Sequence, residues 1–209
     1  MKISIITAVY NGVRDIGATL ASVEAQDYPD IEHVVVDGAS TDGTADLVRR
    51  DGKRVAKLSS EPDHGVYDAF NKGLALATGD VIGYLNAGDV YEARDVITRI
   101  AAQFAAPDIE VVFGDVVITD PAQPDKVLRH YRSGTFRPER LGWGFMPAHP
   151  SLFVRRETYA RCGLHDTSYR IAGDFEMCIR LFAEQRARYA YLPQVLVRMP
   201  RGGLSNSGW

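Results

Sequence analysis

The chain has 209 residues, of which 45% are hydrophobic and 24% are charged. This length suits one substantial domain, and the composition argues against disordered and fibrous proteins. A formal net charge of −3 argues against a dedicated nucleic-acid-binding protein, and two cysteines are too few for a disulfide scaffold.

The first half of the sequence alternates strand-like and helix-like segments. Short β-branched apolar runs predict buried parallel strands, and apolar residues at helical spacing predict helices between them. This alternation predicts a mostly parallel α/β sheet with helices on both faces. The predicted strands are residues 2–9, 31–36, 55–59 and 81–85, and the predicted helices are residues 16–25, 44–50, 66–77 and 93–104.

After residue 108 the pattern changes to mixed strands and loops. No linker separates folding units, so we expect a single domain whose C-terminal part contains mixed strands. The predicted strands are residues 111–119, 126–132, 151–154 and 190–197, the last one interrupted by Pro193; residues 134–149 are predicted as a loop and residues 174–188 as a helix.

Charge is distributed unevenly along the chain. Residues 1–125 contain 10 basic and 21 acidic side chains, whereas residues 126–209 contain 14 basic and 6 acidic ones. The acidic part suits cation binding, and the basic part suits an anionic ligand or an anionic membrane surface. A solvated polar exterior would explain the same counts.

Polar residues collect directly after the predicted strands. In open α/β sheets, ligands bind beyond the carboxyl ends of the strands. Residues 7–11, 37–44, 61–63 and 86–89 follow the four strands, and three of these segments carry carboxylates. Each carboxylate alone would serve equally well as a helix cap or in a turn, but their coincidence predicts a ligand site.

Several common nucleotide-binding motifs are absent from the sequence. It contains no G-x-G-x-x-G after the first strand, no G-x-x-x-x-G-K-[ST] and no G-x-S-x-G. Without a glycine loop that cradles phosphates, a bound diphosphate would be neutralised most simply by Mg²⁺ or Mn²⁺ on carboxylates.

Six segments resemble, in order and spacing, the family 2 glycosyltransferases. The resemblance covers roughly residues 3–185 and implies a GT-A fold, with residues 1–107 binding a nucleotide-sugar and residues 108–209 binding an acceptor. The segments are IITAVYN at 5–11, VDGASTDGT at 36–44, NKG at 71–73, LNAGD at 85–89, HPSLF at 149–153 and AGDFE at 172–176.

The resemblance also implies an activity. This activity is an inverting, metal-assisted transfer of a sugar from a UDP-, GDP- or dTDP-linked donor to a saccharide or lipid-linked acceptor. The closest family members in character are small bacterial enzymes of cell-surface polysaccharide or glycolipid biosynthesis. We therefore expect a cytoplasmic protein with peripheral contact to the inner face of the membrane, and no nucleic-acid partner.

Donor-site roles follow from the resemblance residue by residue. Thr7, Ala8 and Tyr10 would border the base and ribose, with Tyr10 stacking on the base or packing at a strand end. Asp37 would accept a hydrogen bond from a base N–H, which favours uracil or guanine, or it would cap a turn. The other donor-side residues are Asn71, Lys72, Asn86 and Ala87, although Lys72 could equally form an i,i+4 pair with Asp68.

The segment Asn86–Asp89 occupies the place of the family's metal-binding acidic motif. Most members have carboxylates at its first and third positions, where this chain has Asn86 and Gly88. Asp89 is then the expected ligand for Mg²⁺ or Mn²⁺. A metal-independent variant and an Asx turn at Asn86 both stay open.

The acceptor-side residues come from the later segments. Asp174 matches the position of the family's catalytic base, which takes the proton of the acceptor hydroxyl as it attacks the sugar. Alternatively, Asp174 is a carboxylate favoured by the dipole at a helix N-terminus. His149, Glu176 and Trp143 are the further acceptor-side candidates.

Two other functions compete with this interpretation. A sugar-nucleotide-forming nucleotidyltransferase would need a Gly-rich first loop followed by an arginine, which residues 10–14 match poorly. A non-catalytic nucleotide-binding module is the third possibility, because Asn86 and Gly88 depart from the metal motif.

Overall fold

A mixed sheet organises residues 1–202, the part of the chain that this computed structural model describes. Its first four strands pair in parallel in the order β3-β2-β1-β4, with a helix in each of the three connections. The predicted parallel core is thereby confirmed. The elements are β1 (Ile3–Val9), α1 (Ile16–Glu24), β2 (Ile31–Asp37), α2 (Thr44–Asp51), β3 (Val55–Ser60), α3 (Val66–Leu76) and β4 (Val81–Tyr84).

The remaining strands extend the sheet with mixed direction, as predicted. Strand β8 is antiparallel to both β4 and β6, while β6 and β9 are parallel. Strands β5 and β7 pair antiparallel with β9 and β6. These elements are β5 (Val90–Tyr91), α4 (Val96–Gln103), β6 (Val111–Asp120), β7 (Gln123–Tyr131), β8 (Phe153–Arg155), α5 (Arg156–Cys162), α6 (Gly173–Cys178) and β9 (Tyr189–Pro200).

Apolar side chains on both faces of the central strands form the core. Successive side chains of a strand point to opposite faces. Accordingly, Ile6 packs in one cluster with Phe70 of α3, while Ile5 packs on the other face with Ile97 of α4. Full burial of such a side chain contributes about 1.5–3 kcal/mol. A side chain at Gly73 would collide with Ile6, so this glycine lets α3 lie close against β1.

Three features differ from the sequence-based prediction. The helix predicted to run to residue 188 is π-helical at Ile179–Glu184. It does not continue to residue 188, because Arg186 takes a left-handed φ of 52° that ends a right-handed helix. Helix α5 and the two-residue strand β5 were not predicted. The predicted loop at 134–149 contains a 3₁₀ helix, Pro138–Trp143. Pro193 lies where the pairing of β6 and β9 shifts register, which is how a strand accommodates a proline.

None of the helices within residues 1–202 is both long and apolar enough to cross a membrane.

Glu32 is a buried carboxylate that joins three segments of the fold. It accepts hydrogen bonds from Ser4 Oγ at 2.6 Å and from the backbone N–H of Thr78 at 2.7 Å, and Lys57 Nζ lies 3.4 Å away. Burial alone would raise the pKa of Glu32, but these bonds and the Lys57 charge lower it to about 2. This folded-state value lies below the ordinary 4.5, so the stabilisation is complete above pH 4.5 and is lost as the pH falls toward 2.

We therefore expect Glu32→Gln to lower the free energy of unfolding by about 3 kcal/mol at pH 7. The difference from the wild type should shrink steadily between pH 4.5 and pH 2, because in that range the unfolded chain binds a proton at Glu32 that the folded protein binds only near pH 2. Urea unfolding at several pH values measures both effects. Glu24→Gln is the control, since Glu24 is exposed and lies 3.6 Å from Lys53. A pH-independent difference would contradict the prediction.

Candidate active site

The loops that follow β1 and β2 are tied to each other at the carboxyl edge of the sheet. The backbone N–H of Asn11 donates to Ser40 Oγ at 2.7 Å, and Asn11 Oδ1 accepts from the Thr41 N–H at 2.9 Å. Asp42 accepts from the N–H groups of Val13 and Thr44 at 3.1 and 3.0 Å, which is a turn-stabilising role. The two loops therefore form one wall of the site.

Asp37 ends β2 with an unsatisfied oxygen atom. Its side chain is fully buried, and Oδ2 accepts hydrogen bonds from Ser60 Oγ at 2.6 Å and from the Ser40 N–H at 3.1 Å. Its other oxygen, Oδ1, is buried and has no hydrogen-bond partner among the described residues. A buried hydrogen-bond acceptor without a partner lowers the stability of the fold by about 1–3 kcal/mol. A ligand that donates a hydrogen bond to Oδ1 would remove this penalty.

An exposed aromatic ring and a second carboxylate flank Asp37. A Cβ at Gly38 would lie 3.3 Å from the Tyr10 ring and 2.5 Å from Asp63 Oδ2, so both groups pack closely against this glycine. Tyr10 is 67% exposed, which leaves its ring free to stack on a ligand. Asp63 is not among the predicted site residues, and its position at the end of the third strand was the one signal for it.

Thr7 connects β1 to the residue before the Asn86–Asp89 turn. Its side chain is fully buried, its hydroxyl donates to the Leu85 carbonyl at 2.7 Å, and His33 Nε2 lies 2.9 Å away. Burial lowers the pKa of His33 to about 4, so the ring is neutral. Ala8 is half-buried, and Ala87 lies across from Gly12, whose Cβ would be 3.7 Å from Ala87 Cβ.

Asn71 and Lys72 of α3 have their polar groups engaged by the protein. Asn71 Nδ2 donates to the His165 carbonyl at 2.8 Å, and its Oδ1 accepts from the His165 N–H at 2.8 Å. Lys72 Nζ donates to the Pro62 carbonyl at 2.7 Å and pairs with Asp68 at 3.5 Å. Both side chains therefore hold loops onto α3, and their contacts with a nucleotide-sugar donor stay a prediction.

The turn at Asn86–Asp89 is held by Thr19 of α1. Thr19 Oγ1 donates to the Asp89 carbonyl and accepts from the Gly88 N–H, both at 2.9 Å. Gly88 has a φ of 96°, a conformation that side-chain-bearing residues avoid. The Asp89 side chain is only 5% exposed, and burial raises its pKa to about 8 although a bond from the Asn86 backbone opposes the shift.

This turn offers an incomplete set of metal ligands. No group of three or more His, Cys, Asp and Glu side chains that could hold a metal occurs in residues 1–202. Asn86 Oδ1 is nevertheless buried without a hydrogen-bond partner in that range, and the Asp89 carboxyl is buried without a salt bridge there. Both are hard oxygen ligands, so they fit a Mg²⁺ or Mn²⁺ ion whose other ligands are phosphate oxygens and water.

Asp174 lies in the first turn of α6. It is half-buried, and its Oδ1 accepts a hydrogen bond from the Phe175 N–H at 2.9 Å. The hydroxyl of Tyr67, from α3, donates to the same oxygen at 3.4 Å. The Asp174 carboxylate is thus accessible at the N-terminus of a helix, where the helix dipole favours its negative charge.

His149 is a neutral, buried ring next to Asp174. Its ring packs against both Phe70 and Tyr84, with centroid distances of 5.6 and 5.4 Å, and its Nε2 has no hydrogen-bond partner in the described structure. Burial lowers the pKa of His149, although the negative charge of Asp174 opposes the shift. The ring can therefore offer one unused nitrogen to a ligand.

The other two acceptor-side candidates differ sharply in availability. Glu176 forms a bidentate ion pair with Arg180 at 2.7 and 2.6 Å, and Arg180 also donates to the Cys162 carbonyl at 2.6 Å, so this carboxylate joins α6 to α5. Trp143, at the end of the 3₁₀ helix, is 87% exposed and free to contact a partner.

Comparison with known sequences identifies relatives along most of the chain. Residues 4–163 match the family described as Glycosyl transferase family 2. A PGL/p-HBAD biosynthesis glycosyltransferase of Mycobacterium bovis is 33% identical over 211 residues, which is 98% of this chain and 79% of the relative. An uncharacterized glycosyltransferase of Mycobacterium tuberculosis is 30% identical over 179 residues, which is 85% of this chain and 68% of the relative.

Solved structures share the fold at lower identity. S. aureus TarS in complex with UDP-GlcNAc has a TM-score of 0.81 at 18% identity, and the match covers 100% of this chain and 62% of that one. The mannosyltransferase PcManGT from Pyrobaculum calidifontis, in complex with GDP-Man and Mn²⁺, has a TM-score of 0.74 at 24% identity. The match covers 98% of this chain and 58% of that one. The chain thus spans about three fifths of the length of both structures. The family match, the mycobacterial relatives and this GT-A fold together show that the chain belongs to glycosyltransferase family 2 and is a transferase.

Proposed function

We propose that the protein is an inverting glycosyltransferase that moves a sugar from a nucleoside-diphosphate-sugar to a saccharide or lipid-linked acceptor in cell-surface polysaccharide or glycolipid biosynthesis. The observation that carries this proposal is the unpartnered, buried Oδ1 of Asp37 at the carboxyl edge of the parallel strands. Such an unpaired oxygen can accept a hydrogen bond from an N–H group of a nucleotide base. The Mycobacterium bovis relative that is named as a PGL/p-HBAD biosynthesis glycosyltransferase supports a biosynthetic glycosyl transfer.

Residues 1–107 form the donor-binding part in this proposal. The base N–H would donate to Asp37 Oδ1, and the exposed Tyr10 ring would stack on the base. Uracil, guanine and thymine all present a suitable N–H. TarS with UDP-GlcNAc and PcManGT with GDP-Man support the first two of these bases.

Asn86 and Asp89 would hold the divalent cation. Their oxygens are the hard ligands that Mg²⁺ and Mn²⁺ prefer. When bound, the ion would supply positive charge that neutralises the diphosphate leaving group. The Mn²⁺ in the PcManGT complex supports this role.

Residues 108–209 form the acceptor-binding part. Asp174 would take the proton of the acceptor hydroxyl while that oxygen attacks the anomeric carbon. The bond from the anomeric carbon to the diphosphate oxygen breaks on the opposite face, so the configuration at this carbon inverts. His149 would contact the acceptor or the diphosphate through its unused nitrogen. Trp143 would stack on a sugar or meet the membrane.

The basic excess of residues 126–209 supports a position at the inner face of the membrane. Acidic lipid headgroups attract surface arginines by about 1 kcal/mol each.

Calorimetric titration with UDP, GDP and dTDP, each with Mn²⁺ and with EDTA, tests the donor class. We expect one diphosphate to bind at least 10-fold more tightly than the others, and its sugar conjugates to be hydrolysed slowly without acceptor. Binding without any turnover would favour a non-catalytic module. Release of pyrophosphate from a nucleoside triphosphate and a sugar phosphate would favour a nucleotidyltransferase.

Asp89→Asn tests the cation site separately. We expect this variant to lose the enhancement of donor binding by Mn²⁺, because a neutral amide is a much weaker ligand than a carboxylate. The enhancement should fall at least 10-fold, as measured by titration of the preferred diphosphate with Mn²⁺ and with EDTA. Asp95→Asn, which changes an exposed carboxylate paired with Arg99 in α4, is the control. An unchanged response to Mn²⁺ would contradict the ligand role of Asp89.

A further inference from the structure

We propose that Tyr67 is a positioning residue that holds Asp174 in the orientation needed for proton transfer. The inference rests on the proposed role of Asp174 as the base. Tyr67 lies in the first turn of α3, whereas Asp174 lies in the first turn of α6, 107 residues later. The contact therefore joins the donor-binding part to the acceptor-binding part.

The hydroxyl of Tyr67 makes two hydrogen bonds at the start of α6. It accepts from the backbone N–H of Gly173 at 2.8 Å and donates to Asp174 Oδ1 at 3.4 Å. A phenol has one proton and two lone pairs, so both bonds form at once. Burial raises the pKa of Tyr67 and the charge of Asp174 raises it further, so the hydroxyl keeps the proton that it donates.

The ring of Tyr67 fixes the position of the same turn. A Cβ at Gly173 would lie 2.8 Å from Cε2 and Cζ of this ring, so a glycine is needed for the backbone to come this close. The preceding residue, Ala172, has a φ of 70°, which is uncommon for alanine. Strain of this kind persists only where the surroundings hold it, and the Tyr67 ring supplies such a contact.

These contacts leave one carboxylate oxygen available for chemistry. Oδ1 of Asp174 receives the Phe175 N–H and the Tyr67 hydroxyl. Oδ2 makes no side-chain hydrogen bond with residues 1–202. With Oδ1 held, rotation of the carboxylate is restricted and Oδ2 faces the acceptor in a defined direction.

Helix α3 also carries the loop next to the base-recognition residues. Asp68 Oδ2 accepts from the His64 N–H at 3.0 Å, and Lys72 Nζ donates to the Pro62 carbonyl at 2.7 Å. Asp63, in the same loop, borders Gly38. Helix α3 thus holds the loop next to the proposed binding site of the nucleobase. Through Tyr67 it also holds Asp174, the proposed catalytic base.

Tyr67→Phe tests the proposal, because it keeps the ring against Gly173 and removes the hydroxyl. We expect kcat to fall about 10- to 100-fold, while KM for donor and acceptor stays within about twofold and the melting temperature changes by a few degrees at most. Tyr28→Phe is the matched control: it removes a hydroxyl that donates to the Met1 carbonyl at 2.6 Å, at the opposite edge of the sheet. This control should keep wild-type kinetics.

A double-mutant cycle distinguishes the failure of this inference from the failure of the proposed function. In the Asp174→Asn background, adding Tyr67→Phe should lower kcat less than twofold further, because no carboxylate is left to orient. Three results for Tyr67→Phe would overturn the positioning role: a wild-type kcat, a rise in KM without a change in kcat, or a large fall in the melting temperature. If Asp174→Asn kept the wild-type kcat, the role of Asp174 as the catalytic base would itself be wrong.

Discussion

Replacing Asp174 with asparagine should lower kcat by about 1,000-fold or more, with donor affinity within about twofold of the wild type. General-base catalysis contributes about 100- to 10,000-fold, and an amide cannot take the proton of an attacking hydroxyl. Asparagine has nearly the same shape as aspartate and keeps an oxygen that accepts the Phe175 N–H, so the start of α6 is preserved. Steady-state kinetics with a saturating acceptor measure kcat, and titration with the diphosphate measures donor affinity.

Asp166→Asn is the control for this experiment. Asp166 lies eight positions before Asp174 and is exposed, and its Oδ1 accepts from the Ser168 N–H at 2.9 Å. Its substitution should leave kcat within about twofold of the wild type. A kcat for Asp174→Asn within about 10-fold of the wild type would remove Asp174 from the proton transfer.

Replacing Asp37 with asparagine should weaken binding of the nucleoside diphosphate by about 10- to 100-fold. A hydrogen bond to a charged group contributes about 1.5–3 kcal/mol, and 1.4 kcal/mol is a tenfold change in affinity. The amide oxygen of asparagine can still accept from Ser60 Oγ. Its NH₂ group then occupies the place of Oδ1 and opposes a donor on the base, so the lost bond is replaced by repulsion.

Isothermal titration of UDP and GDP measures this change. Asp42→Asn is the control, because Asp42 binds backbone N–H groups in the same loop system and its substitution should affect stability more than affinity. Thermal unfolding of both variants separates these two effects. Equal affinities for Asp37→Asn and the wild type would show that the orphan oxygen does not contact the base.

The parallel core was predictable because its signal is local. Apolar β-branched runs such as the one in β2 mark buried strands directly, and the loop residues that follow them must lie at one edge of the sheet. The position of Asp37 followed from this logic alone. The motif resemblance then extended the prediction to Asp174. No local sequence pattern predicts where Asp174 lies relative to Asp37.

The details that were missed depend on long-range contacts. Tyr67 looks like an apolar residue of an amphipathic helix, and only its distance to Asp174 distinguishes it from its neighbours. Both ends of the Asn71 amide are hydrogen-bonded to the backbone of His165, 94 residues away, a contact that no local pattern contains. The early end of the helix after α6 depends on the left-handed Arg186, a residue type without a strong preference for that conformation.

A short antiparallel seam connects the two parts of the sheet. Strands β4 and β8 pair over three residues, Val81–Gly83 against Phe153–Arg155, and the Phe153 ring lies where a side chain at Gly83 would stand. A methyl group at position 83 would lie 2.4 Å from Cε1 of the Phe153 ring, so β4 or β8 would have to shift to accommodate it. Under the proposed function the two parts bind the sugar donor and the acceptor, so such a shift would change the separation of the two substrates.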